Sequence, residues 1–181
     1  PHIGWKLFEP LSVYVLEVTG NLITQSLNRF LPSLSQSNTK LKAALGRYLK
    51  DEFEQRAASL RDTFSVDYSP AYRKYREFGG SYSIALQGFE AWIKTHKVIE
   101  IGALNLLDKE KVEAGLNIIE AAAKKLGFRK MIIQLPPNSE FHAFLKNRTN
   151  GVVGYRPAII PLKDGLSVTN LHLNAADFDT F

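Results

Sequence analysis

The chain has no cysteine. Disulfides, thiolate metal sites and cysteine nucleophiles are therefore excluded. Its four histidines, His2, His96, His142 and His172, never fall three or four residues apart, so no metal-binding pair is set on a helix face. No apolar run approaches the roughly 20 residues that a membrane helix needs. The nearest stretch, 6–31, is interrupted by Glu9, Glu17, Asn21, Gln25, Asn28 and Arg29. Pro1-His2-Ile3-Gly4-Trp5 carries no basic region leading into an apolar core, so it does not read as a signal peptide. A cytoplasmic location, or one within a larger particle, is the expectation. The chain has no internal repeat and no low-complexity segment.

What is present suits one well-packed unit. A chain of 181 residues can bury one good core and is short for two. Its net charge of +5 favours anionic partners such as nucleotides, phosphates or acidic proteins. The excess is spread over Lys40/Lys42/Arg47/Lys50, Arg73/Lys74/Arg76, Lys109/Lys111 and Lys124/Lys125/Arg129/Lys130, which equally suits a solvated surface. The run Tyr72-Arg73-Lys74-Tyr75-Arg76-Glu77-Phe78 alternates basic and aromatic residues, as a single-strand nucleic-acid platform would. Seven residues are too few to build one. Tyr72, Tyr75 and Phe78 are better read as packing at helical spacing, with the charges in water.

The first part of the chain reads as mainly helical. Residues 7–18 suit either a strand or the start of a helix. Asn21–Leu31 carries Leu22, Ile23, Leu27, Phe30 and Leu31 near helical spacing, and Pro32 stops it. Ser33–Asn38 reads as a loop. Asn38 or Thr39 could cap a long helix running to Phe64, with Leu41, Ala44, Leu45, Tyr48, Leu49, Phe53, Ala57, Leu60 and Phe64 as its stripe. After Gly79-Gly80 the texture turns to strand. Ser81–Leu86, Phe89–Thr95 and Val98–Leu107 have short links and predict an antiparallel meander. Asp164-Gly165 is a hairpin signal between 158–162 and 166–173. We expect a single domain over 1–181: mainly helical in 1–78, a mixed sheet in 79–173, and a tail at 174–181.

The most informative stretch is 97–163. Val98–Leu107 is a strand, and Asp108–Lys111 a charged turn. Val112–Leu126 is an amphipathic helix stopped by Gly127, and Lys130–Leu135 is a second apolar strand. Pro136-Pro137-Asn138-Ser139 breaks the chain, Glu140–Arg148 is a further helix, and Val152–Leu162 closes the unit. A helix crossing between two apolar strands makes them parallel neighbours and leaves a ligand crevice at the strand ends. Ile118, Ile119 and Ala122 should face the sheet, with Lys124 and Lys125 outside.

This order, with Lys124-Lys125-Leu126-Gly127 before a strand and Asn138 followed by Ala143 and Phe144, resembles the GNAT superfamily, the Gcn5-related N-acetyltransferases. The resemblance covers about residues 80–162. It implies an α+β or α/β mixed sheet with crossover helices, acetyl-CoA as donor and N-acyl transfer to an unknown amine. It also implies a splayed strand pair holding the pantetheine arm, and a turn aiming backbone N–H groups at the pyrophosphate. Carried onto this sequence, donor binding falls to Leu106, Leu107, Lys109, Lys111, Gly115 and Asn138. The family's phosphate turn has Gln or Arg and two small residues. Here Glu110 and Glu113 stand in their place when Gly115 takes the last position. The family's acid tyrosine falls at Leu145.

Glu100, in mid-strand, is the candidate general base, although its alternation with Ile99 and Ile101 equally suits a carboxylate facing solvent. Tyr155 is the candidate acid, or a packed aromatic at a strand start. His142 could serve as an acid or be a half-buried helix residue. Asn138 could cap its helix and also touch the donor. The alternative to an enzyme is a non-catalytic GNAT-like component of a larger assembly, such as a viral particle, with a protein as its partner.

Overall fold

The computed structural model describes residues 6–7, 9–18, 34–51, 53, 64–65, 69–78, 81–154, 156, 158–159 and 171–173. The described elements are β1 (Lys6–Leu7), β2 (Ser12–Glu17), α1 (Leu34–Ala44), β3 (Phe64–Ser65), α2 (Pro70–Phe78), β4 (Ser81–Ala85), β5 (Phe89–Thr95) and β6 (Ile99–Leu106). They continue as α3 (Val112–Leu126), β7 (Lys130–Leu135), α4 (His142–Lys146), β8 (Gly151–Val153), β9 (Ala158–Ile159) and β10 (Leu171–His172).

Six strands form one mixed sheet in the order β4-β5-β6-β7-β2-β8. The meander is there: β4–β5 and β5–β6 pair antiparallel. β6 and β7 pair in parallel, as the crossover through α3 requires. β2 inserts between β7 and β8, antiparallel to both, so the first part of the chain supplies a strand as well as α1 and α2. This mixed sheet with a crossover helix over a parallel pair is the architecture expected.

α3 forms where its periodicity places it. Val112, Leu116, Ile119 and Ala123 are buried on the sheet, Ile118 and Ala122 pack at its margin, and Lys124 and Lys125 face water. Gly127 ends it at φ +78, a left-handed conformation that costs glycine nothing. α1 adds Leu41, and the turn just after it Leu45, to the same core, with Tyr14, Phe89, Ile93, Ile101, Ile133 and Phe141.

Several expectations are corrected. The long helix to Phe64 does not form: α1 begins at Leu34, ahead of Asn38 and Thr39, and ends at Ala44. Gly46–Tyr48 makes a 3-10 turn, Leu49 bridges to Ile84, and the Lys50 N–H donates to the Ser83 carbonyl at 3.1 Å. Completing the free edge of β4 outweighs another helical turn there, and it leaves Leu49 exposed. Asn21–Leu31 lies outside the described residues. Tyr75 is exposed on α2, while Tyr72 packs at the margin of the Phe53–Trp92–Ala103 cluster. The closing run 152–162 is divided, since β8 joins the large sheet and β9 pairs with β1. The Asp164-Gly165 turn lies outside the described residues, and the strands flanking it, β9 and β10, belong to different sheets.

Candidate functional site

β6 and β7 pair only at Ile99↔Met131, Glu100↔Ile132 and Ile101↔Ile133. Beyond Ile101 the two strands part, and Gln134 and Leu135 pair with β2 alone. The cause lies on the other side of β6. Trp92 opposes Ala103 and Ile93 opposes Ile101, so Gly102 is an extra residue, a β-bulge. A bulge bends its strand and sharpens its twist. It also reverses the alternation of side chains. Ile99 and Ile101 lie in the main core before it, whereas Leu104 and Leu106 pack there after it and Ala103 joins Trp92 on the opposite face. The result is a wedge opening toward the carboxyl ends of β6 and β7. Among the described residues, no strand pairs with β6 on that side from Gly102 to Leu104.

Glu100 is half-buried at the apex of this wedge, opposite Lys94 on β5 and Ile132 on β7. Leu106 is half-buried and Leu107 is 41% exposed at the mouth. Tyr155 lies outside the described residues.

The turn after β6 is closed on itself. The Leu107 and Asp108 N–H groups both donate to the Gly88 carbonyl, at 2.8 and 3.0 Å. The Glu110 N–H donates to Asp108 Oδ1 at 3.0 Å, and the Lys111 N–H to the Asp108 carbonyl at 3.2 Å. The Asp108 carboxyl is held below its ordinary range, first by the Lys111 side chain and then by the Glu110 N–H. Lys111 Nζ lies 2.7 Å from Asp108 Oδ2, and its own value is raised by that contact. Lys109 reaches Glu140 at 3.6 Å, with both side chains more than half exposed, a pair that contributes little.

Gly115 is buried rather than open to a ligand. A Cβ there would stand 2.3 Å from the Gln87 carbonyl oxygen and 2.6 Å from Phe89 Cε1. Gly88 meets the same helix end from the other side, at φ +90, where a Cβ would stand 2.5 Å from the Val112 nitrogen. The β4–β5 hairpin tip is therefore seated against the start of α3. Gly115→Ala is expected to cost on the order of 1–3 kcal/mol through overpacking. Thermal unfolding should show a loss of several degrees, and a midpoint within one degree of the parent would mean that the tip lifts off freely.

Glu113 does not point its charge at the turn unopposed. Arg148 donates to Glu113 Oε2 through Nε at 3.1 Å and Nη2 at 2.5 Å. It also donates to Asn117 Oδ1 at 2.7 Å and Glu120 Oε2 at 3.0 Å. One side chain thus ties the segment after α4 to two turns of α3.

On the β7 side of the wedge's mouth, α4 starts at His142 rather than Glu140. Asn138 is exposed in the turn and does not cap it. Ser139 Oγ accepts the Phe141 N–H at 3.3 Å within the preceding turn, and no side chain caps α4. His142 Nε2 lies 3.0 Å from the Pro136 carbonyl, which can only accept, so Nε2 carries the proton. Nδ1 then accepts from the Tyr14 hydroxyl at 2.8 Å. Burial raises the Tyr14 phenol above its ordinary value, which keeps it protonated as the donor. This tie fixes the Pro136–Ser139 turn to β2, and Leu145, at the family's tyrosine position, is buried in the core.

Sequence reasoning missed one buried polar group. Glu90 on β5 is 3% exposed and ion-paired with Lys50 Nζ, while Asn105 Nδ2 lies 3.4 Å from its other oxygen. Ser83 Oγ donates to the Lys50 carbonyl at 2.5 Å. The available signal was a lone carboxylate inside the apolar run Phe89–Ile93. Among the described residues there is no metal-binding cluster of His, Asp and Glu, and no helix is long and apolar enough to cross a membrane.

No family model matches the chain, and no curated protein matches it. Among solved structures, the chain is similar to a GCN5-related N-acetyltransferase from Kribbella flavida, at 12% identity and a TM-score of 0.49. The match covers 87% of this chain and 39% of that one, so the chain spans less than half of that protein's length.

Proposed function

We propose that the chain transfers an acyl group from a pantetheine thioester, of which acetyl-CoA is the familiar example, to an amine held at the β6–β7 wedge. The observation that carries this reading is the three-residue parallel ladder ending at the Gly102 bulge. On the β7 side it leaves the backbone of β6 without a strand partner among the described residues, where an extended, amide-bearing pantetheine arm can pair as a strand would. The thioester supplies the acyl group: the amine nitrogen bonds the carbonyl carbon, the carbon–sulfur bond breaks, and the thiol leaves with a proton.

In this reading Glu100 takes the proton from the attacking amine, at the apex where the ladder ends. The β6 backbone beyond the bulge orients the donor, and Leu106 and Leu107 line its path. Lys109 and Lys111 belong to the adjoining turn, Gly115 to the buried start of α3, and Asn138 to the facing turn. Tyr155 returns a proton to the leaving thiol. The pantetheine part of acetyl-CoA suits the wedge. The pyrophosphate part does not suit the turn, whose amides at Leu107, Asp108, Glu110 and Lys111 are already engaged.

That same closed turn favours a second reading, a GNAT-like protein without catalysis that serves as a component of an assembly. Thermal unfolding with and without acetyl-CoA separates the two, because a ligand that binds only the folded chain must raise its midpoint. Transfer predicts a rise at millimolar acetyl-CoA. A scaffold predicts none.

A further inference from the structure

Resting on the acyl-transfer reading, we propose that the donor is an acylated pantetheine or 4′-phosphopantetheine without a nucleotide. The two halves of the site point the same way. The wedge keeps what an extended pantetheine arm needs, a strand edge on the β7 side that no strand among the described residues occupies between Gly102 and Leu104. The turn has lost what a nucleotide's pyrophosphate needs. Four of the five N–H groups from Leu107 to Lys111 end on the Gly88 carbonyl or on Asp108. The space such a group would enter is closed by Gln87 and Gly88, which seat directly against Val112 and Gly115.

Charge decides in the same direction. Residues 108–113 carry Asp108, Glu110 and Glu113 against Lys109 and Lys111, a net charge of −1. Arg148 opposes Glu113 but is shared with Glu120, so counting both leaves the balance at −1. A nucleotide donor would bring its pyrophosphate to this turn. A phosphopantetheine brings one phosphate, which the exposed ammonium of Lys109 can meet without opening the turn. Free acyl-phosphopantetheine and the arm of a carrier protein present this same chemistry.

Calorimetry on the full chain tests the assignment with acetyl-pantetheine, acetyl-4′-phosphopantetheine, acetyl-CoA and an acetylated carrier protein. The expected result is that acetyl-4′-phosphopantetheine and acetyl-CoA bind within about threefold of each other, and that adenosine 3′,5′-bisphosphate displaces neither. A working pyrophosphate cradle adds several charge-assisted hydrogen bonds, enough to separate the two by more than about tenfold. Acetyl-CoA binding tenfold tighter than acetyl-4′-phosphopantetheine would overturn the proposal while leaving acyl transfer standing. No binding by any thioester would remove both. Carrier protein binding tenfold tighter than the free arm would assign the source to the protein-borne form, and equal binding would assign it to the free form.

Discussion

Ile119→Asp is expected to unfold the domain or bring it close to unfolding. Ile119 is fully buried in the middle of α3, with Leu116 and Ala123 beside it. A carboxylate at that position faces the sheet and has no cation to meet. The substitution removes the apolar side chain and buries an unpaired charge, at a cost on the order of 3 kcal/mol or more. For a chain of this length each kcal/mol moves the unfolding midpoint by about 2–4 °C. A loss of roughly 10 °C, or no cooperative transition at all, is therefore expected in a thermal melt. An unchanged midpoint would place that face of α3 in solvent and would end the crossover-helix description.

Lys50→Met should be the next most damaging change, although Lys50 lies outside the wedge. Its ammonium is the charge partner of Glu90, which is 3% exposed in the middle of the sheet. Removing one partner of such a pair leaves an uncompensated buried charge, costing about 3 kcal/mol. The expected drop is roughly 6–12 °C. Adding Glu90→Gln to the same chain should recover most of it, because the charge then leaves with its partner. A single variant as stable as the parent would mean that Glu90 reaches water. A double variant no better than the single would move the effect from charge to the backbone contacts between Lys50 and Ser83.

The difference between what was legible and what was not follows from range. α3 and β7 could be read to the residue because a 3.6-residue stripe and the Gly127 stop are local signals, and so is the short apolar run of Lys130–Leu135. The parallel pairing of β6 and β7 followed from the apolar–helical–apolar order and a crossover of adequate length. α1 was misread because its end is decided by a partner distant in sequence. Leu49 and Lys50 leave the helix to pair with Ile84 and Ser83, and no periodicity near residue 49 announces that. Gly102 was visible as a glycine inside a strand, a recognised mark of a bulge, but its consequence required the register of both neighbours. Asn138 does not cap α4 because the helix starts four residues past it, and such boundaries are the least local part of a helix. The engagement of Glu113 by Arg148 joins residues 35 apart, so the sequence offered the repelling carboxylate without the guanidinium that holds it.

The absence of cysteine makes the central claim unusually direct to test. Every thiol that appears when the chain is mixed with an acetyl thioester and an amine must come from the donor. Thiol release should be followed with a thiol-reactive dye over a panel of primary amines, for the parent chain and for Glu100→Gln. Acyl transfer predicts release that depends on both the amine and the chain. In Glu100→Gln it should fall by roughly 100-fold, the contribution typical of a general base, while thioester binding is retained. A parent chain that binds no thioester and releases no thiol with any amine would contradict the acyl-transfer account and leave only the mixed-sheet fold.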